Sequence, residues 1–171
     1  MERIWIAGNA DSGKTALANF IGEKLGIPVY HRDSISWDEN DNLRAEEEQI
    51  ETVKNITKNE KWIFDGARFT ASKTDGRLDR CDTIIPLDIN RFICVYRGIK
   101  RGFQVAKHAD IPPAERQPFY FHHITGTLFG YPKKRPQREA IFDLAKEKGI
   151  QVIILKRKKD VVRFLTNLDK L

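Results

Sequence analysis

Hydrophobic positions along the chain follow two different periods. Arg3-Ile4-Trp5-Ile6-Ala7, Trp62-Ile63-Phe64, Thr83-Ile84-Ile85-Pro86-Leu87 and Gln151 to Leu155 are short apolar runs of strand length. Pro28-Val29-Tyr30-His31 offers another, directly after a helix-stopping Gly26. Between these runs the apolar residues return at helical spacing. Leu17, Ala18, Ile21 and Leu25 do so within Lys14 to Leu25, and Ile50, Val53 and Ile56 within Glu46 to Thr57. Further helices are predicted from Arg91 through roughly Lys107, over Gln137 to Lys148 and over Lys159 to Leu168. Strands that are apolar throughout and alternate with helices predict an α/β fold, a parallel sheet covered on both faces. Pro86 removes a ladder donor from the fourth strand. Prolines at 112, 113, 118, 132 and 136 argue against continuous regular structure in the region before Gln137.

Composition narrows the picture. The chain has 171 residues, 40% hydrophobic and 32% charged, which is the size and make-up of one globular domain spanning 1–171. No apolar run approaches the roughly 18 residues needed to cross a bilayer, and the N-terminal run is too short for a signal-peptide core. The expectation is a soluble, cytoplasmic protein. Cys81 and Cys94 stand in no metal-ligand or CxxC spacing and read as small buried apolar residues. The net charge of +6 is unevenly spread: residues 1–90 carry 12 Lys/Arg against 17 Asp/Glu, and residues 91–171 carry 18 against 7. A basic half serves either nucleic acid or the cations that close over a triphosphate.

Gly8-Asn9-Ala10-Asp11-Ser12-Gly13-Lys14-Thr15 fits G-x-x-x-x-G-K-[ST], between a predicted strand and a predicted helix. In such a loop glycines let successive N–H groups point inward, and the helix N-terminus adds partial positive charge, so the backbone itself binds phosphate. Lys14 then reaches the β- and γ-phosphates of ATP or GTP, and the Thr15 hydroxyl helps hold Mg²⁺. A carboxylate inside the cradle would repel phosphate, so Asp11 is expected to point outward.

Ligands of open parallel sheets bind beyond the carboxyl ends of the strands. Asp65 follows Trp62-Ile63-Phe64 in the pattern that brings a carboxylate near Mg²⁺. Asp33 ends the second strand, where it either takes a proton from an acceptor hydroxyl or caps the following turn. Asp88 reads as a turn or cap residue. Arg97 and Arg101, four apart on one helix face, either stabilise a transferring phosphoryl group or form a solvated face. Arg68, Arg77 and Arg80 are substrate-side candidates. Lys133-Lys134-Arg135 is a basic cluster for phosphates or a solvated loop. His122 and His123 lack metal-ligand spacing, and Phe119, Tyr120, Phe121 and Phe129 read as packing.

Taken together, these residues resemble the DNA topology modulation (FlaR-related) proteins, a branch of the adenylate-kinase-like P-loop kinases. The match rests on the glycine loop and on Pro28-Val29-Tyr30-His31 with Asp33 and Trp37. It extends through Trp62-Ile63-Phe64-Asp65-Gly66, Arg77 to Ile85 and Tyr131-Pro132-Lys133-Lys134-Arg135-Pro136. The resemblance implies a five-stranded sheet of order 2-3-1-4-5, a helical lid at about 102–136, ATP with Mg²⁺, and a small-molecule or nucleotide acceptor that Asp33, Trp37, Arg68 and Arg77 would meet. The family name and the basic second half of the chain suggest a second reading, a nucleic-acid-binding regulator switched by ATP. Arg32 departs from the family pattern, in which an apolar residue is common at that position.

Overall fold

Five strands make one sheet: β1 (Arg3–Gly8), β2 (Val29–His31), β3 (Trp62–Asp65), β4 (Thr83–Leu87) and β5 (Gln151–Val152). Their order is β2-β3-β1-β4-β5, and every neighbouring pair is parallel. This is the predicted fold class and the predicted strand order. The computed structural model describes residues 1–40, 42–107 and 124–168. His122, His123, Phe119, Tyr120, Phe121 and the part of the expected lid from 108 to 123 therefore lie outside the described residues.

The period of two along each strand sorts the core into two halves. Ile4 and Ile6 of β1, with Ile63 and Ile85, face α1 (Lys14–Leu25) through Leu17, Ala18 and Ile21. Trp5 and Ala7, with Trp62, Phe64 and Ile84, face the other way. They meet Val53 of α3 (Glu46–Thr57) and Ile141, Phe142 and Ala145 of a later helix (Arg135–Glu147). Cys81 and Cys94 are both buried free thiols, one in each half.

Among the described residues five short helical pieces escaped the periodicity: α2 (Arg32–Ser36), a 3-10 turn at Ala71–Lys73, α4 (Arg77–Arg80), a π-helical turn at Gly126–Gly130 and a single helical turn at Tyr131–Lys133. Each is too brief to show a repeating apolar stripe. The remaining helices are α5 (Arg91–Lys107), α6 (Arg135–Glu147), which takes Pro136 into its first turn, and α7 (Lys158–Leu168). Among the described residues no helix is long and apolar enough to cross a membrane.

Pro86 sits inside β4, paired with Ala7. Its carbonyl accepts from the Leu155 N–H at 2.9 Å, so its nitrogen also faces β5 and has no hydrogen to donate there. The β5 ladder accordingly ends at Val152, short of the predicted Leu155, and only separate bonds from Ile153 and Leu155 continue the contact.

Candidate nucleotide and acceptor site

The glycine loop leaves β1 at Gly8 and enters α1 at Lys14, as the motif requires. Gly13 stands at φ 97°, a left-handed conformation that directs the loop into the helix and that a side chain would strain. Asp11, at φ 54°, also takes the left-handed region. Its carboxylate turns away from the loop toward α5, where Oδ1 lies 3.3 Å from Arg101 Nη1. A Cβ on Gly98 would stand 2.7 Å from the other Asp11 oxygen, so the glycine gives the carboxylate its place against the helix.

Lys14 folds back over the loop, and its Nζ donates to the Asn9 carbonyl at 2.8 Å. Burial holds its ammonium below the usual lysine pKa, opposed by the carboxylates of Asp65, Asp33 and Asp11. Thr15 Oγ1 donates to Asp65 Oδ2 at 2.7 Å, which joins the start of α1 to the end of β3. Arg97 Nη1 donates to the Ser12 carbonyl at 3.1 Å. Both arginines expected on one face of α5 therefore touch the loop, Arg97 through its backbone and Arg101 through Asp11. Asn9 reaches outward, and its Nδ2 donates to the Thr127 carbonyl at 2.9 Å, tying the loop to the π-helical turn.

Two buried atoms have no partner here. Asp65 is almost wholly buried, yet its Oδ1 makes no hydrogen bond, and neither does Ser12 Oγ. A carboxylate oxygen left free beside a threonine hydroxyl and a glycine loop is the donor set that Mg²⁺ takes together with phosphate oxygens. The residues thus fit a magnesium-bound nucleotide.

His31 escaped the functional reading of the sequence. Its Nδ1 lies 3.3 Å from Asp65 Oδ2, the oxygen that accepts from Thr15. The register could have signalled it, since a parallel ladder pairs His31 with Asp65. Asp33 lies in the first turn of α2, exposed, and caps nothing; α2 has no side-chain cap. Trp37 is 43% exposed on the same side. Its carbonyl accepts from Arg44 Nε at 3.2 Å. The cap expected near the start of α5 comes from Asn90, whose Oδ1 accepts from the Phe92 N–H at 2.9 Å, and Asp88 is not used for it.

The substrate-side arginines separate. Arg68 is held by Glu46 and by Gln49 Oε1, the latter at 2.8 Å, both on α3. Arg80 is exposed at the end of α4. Arg77, expected to meet substrate, is instead 1% exposed and belongs to the core. Its guanidinium lies 4.7 Å from the Trp5 ring centroid and 4.6 Å from that of Phe64, and it pairs with Asp75. Its remaining donors go to the Gly66 and Arg68 carbonyls. A charge so enclosed and so fully bonded has nothing left to offer a ligand. Of the basic cluster, Arg135 pairs with Glu139 at 2.7 Å, and Lys133 and Lys134 face solvent.

With the sheet order, the loop and Asp65 in place, comparison with solved structures becomes informative. The fold is that of the P-loop kinases. The chain is similar to a shikimate kinase from Bacteroides thetaiotaomicron, at 15% identity with a TM-score of 0.60, over 99% of each chain. It is also similar to a shikimate kinase from Aquifex aeolicus, at 16% identity and a TM-score of 0.53, over 98% of this chain and 96% of that one. A sugar kinase from Janibacter sp. aligns at 14% identity and a TM-score of 0.52, over 99% and 95% respectively. At such identities the likeness is one of fold. No protein-family model and no curated relative matches the chain.

Proposed function

We propose that the protein transfers the γ-phosphoryl group of ATP to a hydroxyl of a small acceptor. The observation that carries this reading is the junction of Thr15 and Asp65 under the glycine loop, with one Asp65 oxygen left unbonded. In it Thr15 and Asp65 would hold Mg²⁺, which neutralises phosphate charge when bound. Lys14 exchanges the Asn9 carbonyl for the β- and γ-phosphates, and Arg97 and Arg101, already against the loop, turn to the transferring group. The acceptor approaches from the β2 side. Its oxygen forms the new bond to phosphorus, the bond to the β,γ-bridging oxygen breaks, ADP leaves, and the hydroxyl proton passes to Asp33. This role for Asp33 is supported by its position just past the end of β2, beside the strand that carries Asp65.

The test is ATP binding and acceptor-dependent ADP release over a panel of nucleosides, nucleotides and hydroxylated metabolites. Lys14→Ala should lower turnover by about 100-fold or more, the scale of losing one charge-stabilising donor. Unchanged affinity and rate in that variant would refute the assignment.

A further inference from the structure

Arg32 has an environment that the phosphoryl-transfer reading does not use. It is the first residue of α2, next to His31, whose ring faces Asp65. Its stem is pressed against the exit of β3: a Cβ built on Gly66 would stand 2.6 Å from Arg32 Cβ and 3.2 Å from its Cδ. Gly66 therefore clears the path by which the side chain crosses the end of the strand. The Nε at the end of that path is buried and has no hydrogen-bond partner. Among the described residues the Arg32 guanidinium makes no hydrogen bond and no ion pair.

Its charged neighbours make this costly. Arg68 and Arg77 both act on it as like charges, and Asp33 is the carboxylate that opposes them. Asp75 is committed to Arg77 and Glu46 to Arg68. Burial and Arg68 accordingly hold the Arg32 pKa below the usual arginine value. A half-buried cation beside two other cations, opposed by the exposed Asp33 and bonded to none of the described residues, is an arrangement that an anion would complete. The planar guanidinium fork matches carboxylate and phosphate oxygens in pairs.

The place of Arg32 distinguishes such an anion from the nucleotide. The glycine loop follows β1, Asp65 follows β3 and Arg32 follows β2, in the lateral order β1, β3, β2. Asp65 thus stands between Arg32 and the loop, and Arg32 shares its side with Asp33 and Trp37. Resting on the phosphotransferase reading for the word acceptor, we propose that Arg32 is the anion-recognition residue of the acceptor pocket. The acceptor then carries a carboxylate or a phosphate group as well as the hydroxyl that is phosphorylated.

Thermal unfolding of the full chain in saturating Mg-ADP, titrated at constant ionic strength with succinate in one arm and inorganic phosphate in the other, tests this. ADP keeps the probes off the loop, and the two arms separate a carboxylate site from a phosphate site. At least one probe should raise the wild-type Tm in a saturable manner, and Arg32→Gln should weaken that apparent affinity tenfold or more. Arg32→Lys, which keeps the charge without the fork, should retain part of it and guards against loss of fold. Equal stabilisation of wild type and Arg32→Gln, or no stabilisation of wild type by either probe at tens of millimolar, overturns the proposal. The readout is independent of catalysis, so a Lys14→Ala variant with unchanged turnover would refute phosphoryl transfer and leave the anion site standing.

Discussion

Arg77 and Arg32 belong to two regions at the same end of the sheet and have opposite surroundings. Arg77 is sealed between Trp5 and Phe64, and each of its nitrogens has an acceptor. Arg32 lies across Gly66 with its Nε buried and unbonded. Both are arginines close to the carboxyl ends of β2 and β3, where a reading of residue types alone places substrate. The difference teaches that a guanidinium's role is set by whether the fold has already supplied its counter-charge. Where Asp75 is present two residues before Arg77, the cation becomes part of the framework that positions Gly66 and the Asp65 strand end. Where no such partner is present, the cation remains free for a ligand.

The comparison can be broken at its strongest point by Arg77→Ala. That change leaves Asp75 buried without its partner and empties the space between two aromatic rings, and should cost about 3–5 kcal/mol. Urea denaturation measures it. A loss under about 1 kcal/mol would show that the pair is not the framework contact described.

A second effect concerns Cys81, which packs in the same half of the core as Trp5 and Phe64. Burial pushes its thiol up to about 12 from an ordinary 9. At pH 8 it should therefore resist iodoacetamide in the native protein and react readily in the Arg77→Ala variant, as followed by mass spectrometry. The same shift has a stability consequence. Between pH 9 and 12 the unfolded chain loses the thiol proton while the folded chain keeps it, so this contribution to stability falls as pH rises through that window.

The smallest effect is expected at Arg32 itself. Without added anion, Arg32→Gln removes a half-buried charge that nothing pairs, so unfolding free energy should not fall and should rise by about 1 kcal/mol at most. A loss of several kcal/mol in the same urea experiment would mean that Arg32 is a framework residue like Arg77, and would erase the contrast.

Much of this was legible along the chain, for reasons that differ from one residue to another. The glycine loop could be read directly because its geometry is local: eight consecutive residues carry one backbone segment from β1 into α1. Asp65 could be read because a buried parallel strand is apolar throughout and its end is marked by the first polar residue. Arg97 and Arg101 could be placed on one helix face by spacing, although only the fold shows which face meets Ser12 and Asp11. His31 and Arg77 were not legible in the same way. His31 gains its meaning from lying opposite Asp65 on a different strand, and Arg77 from rings 72 and 13 positions away in the chain.

The alternation of strands and helices, the glycine loop and the carboxylate at the end of β3 were therefore written in the sequence alone. These depend on periodicity and on neighbours within a few residues. Only the tertiary structure decided which cations are spent and which remain free. Charge compensation acts between side chains brought close in space, and the path of Arg32 across Gly66, like the enclosure of Arg77 by Trp5 and Phe64, exists only once β1, β2 and β3 lie side by side.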